Sequence, residues 1–235
     1  MKNYLKVFNS SRIFRAVCIG DSTTSQEWCH PNWIDWLNFT FREEKWDEDW
    51  RKKFINSGRD GAHIEHYLKY FEDEIAFYKP HVVIASIGLN HLFLKSTPDE
   101  IEELLTQLFS KISGLKSDLI TWSPYAIPNE EHMEGLAKIN NVYEKVTKDF
   151  EGVYIDIFSE FQKYDLTKLF TFVSDGNEEW QIAKGAVDYL HCNPIGCQII
   201  ADKIAKEGFG KELSNWEFGT MELVDLGKLN LSTES

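Results

Sequence analysis

Residues 16–26 read AVCIGDSTTSQ, an apolar run that stops abruptly on Gly20 and hands over to Asp21, Ser22 and Thr23. A strand that ends on glycine and passes straight to a serine is one way to hold a hydroxyl at the mouth of a sheet. An ordinary polar turn is the plainer reading of the same residues. The rest of the chain has to decide between them.

Five short apolar runs recur, at residues 14–19, 53–55, 82–87, 119–122 and 153–158. Most read as buried parallel strands. Between them the apolar residues fall at helical spacing: Ile64, Tyr67, Leu68, Phe71, Ile75 and Tyr78, then Ile101, Leu104, Leu105, Leu108 and Ile112, then Met133, Leu136, Ile139, Tyr143 and Val146. Thr97-Pro98-Asp99-Glu100 opens the second of these helices, with threonine as cap, proline at the first helical position and Glu100 completing a capping box. A last helix follows Asn193-Pro194 in the same way. Strict β-α alternation of this kind predicts one parallel sheet with helices on both faces, joined by right-handed crossovers. Ligands of such folds sit beyond the carboxyl ends of the strands.

The chain has 235 residues, 43% of them hydrophobic, and shows no repeat, low-complexity linker or composition break. One domain over 1–235 is expected. A long connection at 160–187, with Phe170, Phe172 and Trp180, reads either as a cover over a site or as a surface loop with its own small core. The tail at 208–235 either packs at home or reaches a second subunit, which would make the chain a homo-oligomer. The net charge of −13 opposes binding to nucleic acid or to an acidic membrane surface, since both would be repelled. Cys18, Cys29, Cys192 and Cys197 are too few for a disulfide scaffold and read as reduced thiols. Neither a signal peptide nor a membrane span is apparent, so a cytoplasmic protein is expected and the sequons at Asn9, Asn38 and Asn230 are chance matches.

Three strand ends carry the chemistry. Gly20-Asp21-Ser22 follows the first run, NSGRDGAH (56–63) the second and Gly88-Leu89-Asn90 the third. Together they offer a hydroxyl, glycine N–H groups and a carboxamide donor, a set able to stabilise an oxyanion. A serine needs a base, and the base needs an orienting group. VDYLHCNPIG (187–196) holds both, because Asp188 and His191 are three residues apart at the approach to the last helix.

These four stretches, in this order and spanning Gly20 to Gly196, resemble the sequence blocks of the SGNH, or GDSL-type, hydrolase superfamily. The resemblance implies a flavodoxin-like three-layer α/β/α sandwich with a five-stranded parallel sheet of order 2-1-3-4-5. It implies Ser22 as nucleophile, Asp188 and His191 as its partners, and an oxyanion hole from the N–H of Ser22, a glycine N–H and the Asn90 side chain. Gly61 fits the glycine position better than Gly58, lying a few residues past Asn56 and just before a helix. Two departures stand out: His91 follows Asn90 where the family has an aspartate, and Thr23 stands where lipase-like members often have leucine. Some carbohydrate esterases of the superfamily share GDST, so the expected reaction is hydrolysis of a short acyl ester, acetyl first, on a small molecule or carbohydrate, with no metal or organic cofactor. The alternatives are a thioesterase or lysophospholipase with a longer acyl preference, and a silent carbohydrate-binding protein on the same fold.

Taken singly, Ser22 is a turn serine, Asn90 a loop amide and Asp188 with His191 a helix-entry hydrogen bond. Coincidence explains each one and explains their joint placement poorly. Of the tryptophans after the first strand, Trp33 and Trp36 have core spacing, whereas Trp28 is the candidate for stacking on substrate, with Trp180 as a second. His63 and His66 lack the spacing of a zinc protease motif, and AKEGFGKE (205–212) follows a helix instead of a strand and is no phosphate loop.

Overall fold

In the computed structural model, which describes residues 2–10, 12–42, 51–176 and 183–214, the five apolar runs form one all-parallel sheet. Its strands are β1 (Phe14–Gly20), β2 (Lys52–Asn56), β3 (Val82–Ser86), β4 (Asp118–Trp122) and β5 (Val153–Ile155), in the order β2-β1-β3-β4-β5. This is the expected order. Ala16 lies opposite Phe54 on one side and Val82 on the other, Cys18 faces Asn56, and Gly20 faces Ser86. The carboxyl ends of β2, β1 and β3 therefore finish side by side.

The described helices are α1 (Asn3–Phe8), α2 (Trp33–Arg42), α3 (Ile64–Lys69), α4 (Phe71–Glu74), α5 (Leu89–Phe93), α6 (Pro98–Gly114), α7 (Glu130–Asp149), α8 (Ile157–Phe161) and α9 (Pro194–Ile204). Successive side chains of β1 point to opposite faces, and each face has its own core. Phe14, Ala16 and Cys18 pack with Trp33, Leu37 and Phe41 of α2 and with Ile200 and Ile204 of α9. Val17 and Ile19 pack with Ile64 and Tyr67 of α3, Leu105 and Leu108 of α6 and Tyr143 of α7. The result is a three-layer α/β/α sandwich. β3 is buried on both faces, and each full-sized apolar side chain so buried contributes roughly 1.5–3 kcal/mol. At the β2 edge of the described sheet the Asn38 amide pairs with the backbone as a neighbouring strand would: its Nδ2 donates to Phe54 O (3.0 Å) and its Oδ1 accepts from Phe54 N (3.2 Å).

Helix starts follow the sequence signals. Thr97 and Glu100 form the capping box at α6, and Asn193 Oδ1 accepts from Ile195 N (3.0 Å) and Gly196 N (3.2 Å) at α9. Three expectations need correction. The run at 153–158 leaves the sheet at Ile155, because Asp156 caps a new helix through Ser159 N (2.9 Å) and the Ser123 hydroxyl accepts from Ile157 N and Phe158 N (2.9 and 2.8 Å). The helix expected through Ile64 to Tyr78 is broken: α3 stops before Tyr70, α4 is a single turn, and a 3₁₀ turn at Ala76–Tyr78 ends on Lys79 at φ 50°. The segment at 160–187 does not carry a separate small core in its described part, since Phe161, Leu169 and Phe170 are buried in the same core as α9. Val173 and Val187 pair there in an antiparallel bridge.

Of the tail, Gly208 and Phe209 belong to the π-helical turn that extends α9, and residues 215–235 lie outside the described residues. All four cysteines are free and buried. Among the described residues no helix is long and apolar enough to cross a membrane.

Candidate active site

The abrupt end of β1 has a steric cause. A Cβ on Gly20 would lie 2.2 Å from Thr24 Oγ1 and 2.5 Å from Ser86 O, so only glycine lets the chain turn back against β3. Asp21 shapes the turn: its carboxylate accepts from Thr23 N (3.0 Å) and Thr23 Oγ1 (2.8 Å), and its carbonyl accepts from Thr24 N and Ser25 N (both 3.0 Å). Burial pushes the Asp21 carboxyl up, and the bonds from Thr23 and Gly88 and the nearby His191 offset this only in part. Ser22 sits at the head of the turn, 4% exposed.

Asp188 and His191 come to it from the loop before α9. Asp188 N donates to Phe172 O (2.8 Å), and Asp188 Oδ1 accepts from Leu190 N (2.7 Å) and His191 N (3.2 Å). Its second oxygen, Oδ2, lies 2.6 Å from His191 Nδ1, and His191 Nε2 lies 2.9 Å from Ser22 Oγ. With Nδ1–H committed to the carboxylate, the Nε2 lone pair faces the serine hydroxyl. Burial raises the Asp188 carboxyl, but the His191 bond and charge and the two backbone N–H groups outweigh it, and the net displacement is downward. The carboxylate is therefore charged at neutral pH. Asn193 steadies the same loop, its Nδ2 donating to Lys168 O (2.9 Å) and Thr171 Oγ1 (3.1 Å).

The two candidate glycines separate by their bonds. Gly58 N already donates to Asn56 Oδ1 (2.8 Å), and a Cβ there would press on Ser25 N at 2.7 Å, so Gly58 serves packing. Gly61 is exposed, at φ 66° with open space where a Cβ would stand. Glu74 of α4 fastens this loop by accepting from Ser57 Oγ (2.7 Å) and Arg59 Nη2 (2.6 Å). Asn90 lies in the first turn of α5 and donates one amide proton to the carbonyl oxygen of Ala62 (3.0 Å), the residue after Gly61, which leaves a second proton on the same nitrogen. His91, which stands after Asn90 where the family has an aspartate, is engaged at both nitrogens: its Nε2 accepts from Ile64 N (3.3 Å) and lies 3.5 Å from Glu65 Oε2, while Nδ1 meets Ser96 Oγ (3.0 Å). Burial lowers the pKa of His91, which keeps the ring neutral and Nε2 free to accept.

Trp28 lies flat on His191, ring centroids 3.8 Å apart and planes 2° from parallel, and its Nε1 donates to Asp60 Oδ1 (2.8 Å). Trp33 and Trp36 are core residues, as their spacing predicts. Trp180 lies outside the described residues. Among the described residues no group of three or more His, Cys, Asp or Glu side chains is arranged to hold a metal ion.

A model of the GDSL-like lipase/acylhydrolase family matches residues 18–199, which includes every block described above. The chain belongs to that family. It is an ester-hydrolysing enzyme. Solved structures of similar fold include LAE5, an α/β hydrolase from the metagenome of Lake Arreo in Spain, at 16% identity and TM-score 0.69 over 88% of this chain and 100% of that one. A catalytic mutant of Axe2, an acetylxylan esterase from Geobacillus stearothermophilus, shares 16% identity at TM-score 0.65 over 83% of this chain and 94% of its own. A lipase/acylhydrolase from Enterococcus faecalis shares 20% identity at TM-score 0.65, covering 86% and 99% respectively. No curated protein matches.

Three tyrosines that hold the site of this GDSL-type hydrolase went unread in the sequence. The Tyr67 hydroxyl sits 2.7 Å from both Gly20 O and Ser57 O, Tyr143 bonds the backbone of Ile87 just past β3, and Tyr125 donates to Leu190 O (2.6 Å). Tyr67 and Tyr143 were visible only as members of apolar helical stripes. A hydroxyl on such a stripe, at the end nearer the strand termini, is the one signal that could have marked them.

Proposed function

We propose that the chain hydrolyses short acyl esters, acetyl first, on a small molecule or carbohydrate, with Ser22 as nucleophile. His191 Nε2 takes the Ser22 proton as Oγ attacks the ester carbonyl, and Asp188 holds the ring and faces the imidazolium that forms. The tetrahedral oxyanion is received by the N–H groups of Ser22 and Gly61 and the free amide proton of Asn90. The proton passes from His191 to the leaving alkoxide, giving an acyl-serine and the free alcohol. Water, deprotonated by His191, then attacks the acyl carbon, and return of the proton to Ser22 releases the acid.

The observation that carries this reading is the continuous line from Asp188 through His191 to Ser22, at 2.6 and 2.9 Å between buried partners. The acetyl preference takes its support from GDST in the first block and from the acetylxylan esterase among the proteins of similar fold. One observation favours longer acyl groups: Val187, which precedes Asp188, and Val173, bridged to it, are 52% and 68% exposed, an apolar pair suited to an alkyl chain. Trp180 is retained as a candidate substrate contact, as is the face of Trp28 turned away from His191. The cytoplasmic, single-domain and oligomer readings stand as proposals of the same kind.

The test is hydrolysis of p-nitrophenyl acetate, butyrate and octanoate by wild type and Ser22→Ala, with fluorophosphonate labelling read by intact mass. Labelling and turnover by wild type that both vanish in Ser22→Ala are expected, with acetate the best substrate. Turnover that survives in Ser22→Ala would remove Ser22 from the reaction, and a rate that climbs to octanoate would replace the acetyl reading with the long-chain one.

A further inference from the structure

Trp28 occupies an unusual place for a half-exposed tryptophan. One face of its indole is spent on His191, at 3.8 Å and 2°. Its edge is tied by Nε1–H to Asp60 Oδ1 at 2.8 Å, and Asp60 immediately precedes Gly61. The following residue, Cys29, is buried with its Sγ 3.4 Å from Cys197 Sγ of α9, so the backbone beneath the ring is pinned as well. The indole is held at its edge and its base, and what it is held against is the imidazole.

We propose that Trp28 is a positioning residue for the base: the indole keeps the His191 ring in the plane that joins Asp188 to Ser22 and favours the imidazolium formed when Ser22 gives up its proton. The inference rests on the reading of His191 as base. Its physical ground is the quadrupole of the indole face, which attracts a cation lying over it and does little for the neutral ring. The stack is therefore stronger once His191 is protonated, which happens on the way to each tetrahedral intermediate, so its benefit falls on kcat and not on substrate affinity. The tie to Asp60 extends the same support to the loop of Gly61. A residue that only stacked on substrate would instead act on KM, and more for a ring-bearing alcohol than for a small one.

The experiment compares wild type, Trp28→Leu, Trp28→Phe and Asp60→Ala as full chains, on p-nitrophenyl acetate and on an acetylated sugar. In parallel, NMR of histidine-labelled protein follows the low-field proton on His191 Nδ1. Trp28→Leu is expected to lower kcat about ten-fold on both substrates with KM unchanged, Trp28→Phe to recover most of that loss, and Asp60→Ala to fall between. The Nδ1 proton should sharpen in the order Leu, Phe, wild type. Asp60→Ala, a surface change, carries the test if Trp28→Leu fails to fold. A rise in KM confined to the sugar ester with kcat unchanged, or an Nδ1 signal indifferent to Trp28, overturns the proposal. If wild type itself turns over no ester, the proposed reaction fails and the NMR comparison alone decides whether Trp28 orders His191.

Discussion

Asn90 shows how much one side chain is asked to do. One amide proton holds Ala62 O, and the other is the proposed donor to the oxyanion. Asn90→Ala removes both, so kcat on p-nitrophenyl acetate is expected to drop by roughly 10² to 10³ fold, the range for loss of one oxyanion donor. The lost bond to Ala62 should cost only about 1 kcal/mol of stability, so the variant stays folded. A kcat within two-fold of wild type would take Asn90 out of the hole. At this scale the sequence was informative where chemistry is local: Asp188 and His191 lie three residues apart, and their pairing follows from that spacing. It was silent on Trp28 and His191, whose stack is made by distant stretches of chain and leaves no mark in either. His91 lies between these cases. Its departure from the family pattern was plain, but only the structure shows what the ring does there, its Nε2 accepting from Ile64 N at the start of α3.

At the scale of elements, the loops that carry the candidate site are short and are held from below by tyrosines. Tyr125 lies in the stretch after β4, stacked on Phe161 with ring centroids 5.0 Å apart, and its hydroxyl reaches Leu190 O directly beside His191. Burial drives its pKa up, so it remains a neutral donor across the working range. Tyr125→Phe keeps the packing and removes one bond from a buried carbonyl, at an expected cost of about 1–3 kcal/mol to stability. The carbonyl of Leu190 is left without its donor, so the loop that presents His191 should loosen and kcat should fall more than the stability loss alone implies. Parallel measurement of the thermal midpoint and of kcat checks this, and a variant that loses stability at full kcat would show that Leu190 does not govern His191. The long elements α6, α7 and α9 were legible because apolar stripes and caps specify them locally. The single-turn helices α5 and α8 were not, since five residues cannot express a helical period and the start of α8 depends on Ser123 from elsewhere in the fold. The break at Tyr70 was hidden for a related reason: an apolar stripe records which residues face the core and not whether the backbone between them is continuous.

Across the whole molecule, acid should act on stability in two stages whose signs follow from where the charges lie. His66, His81 and His91 all have pKa values lowered, with burial the largest cause in each. For a histidine so displaced the unfolded chain binds the proton first, so the stability it confers is present above the unfolded value of about 6.5 and is lost as pH falls through the lower folded value. Glu74 and Asp188 are displaced downward despite burial, by the bonds from Ser57 and Arg59 and from His191 respectively, and their share is lost only below the ordinary carboxylate range near pH 4. Asp21, displaced upward, works in the opposite direction, and because its effect lies above the ordinary carboxylate range it opposes the first stage rather than the second. The thermal midpoint is therefore expected to hold level between about pH 7 and pH 8, to decline from about pH 6.5 downward, and to fall again below about pH 4. His91→Gln, which keeps an acceptor for Ile64 N but cannot titrate, should flatten part of the first decline. A midpoint that is the same at pH 5 and pH 7 would mean that these histidines titrate alike in the folded and unfolded chain, and that the neutral ring of His91 is not what secures the loop beside Asn90.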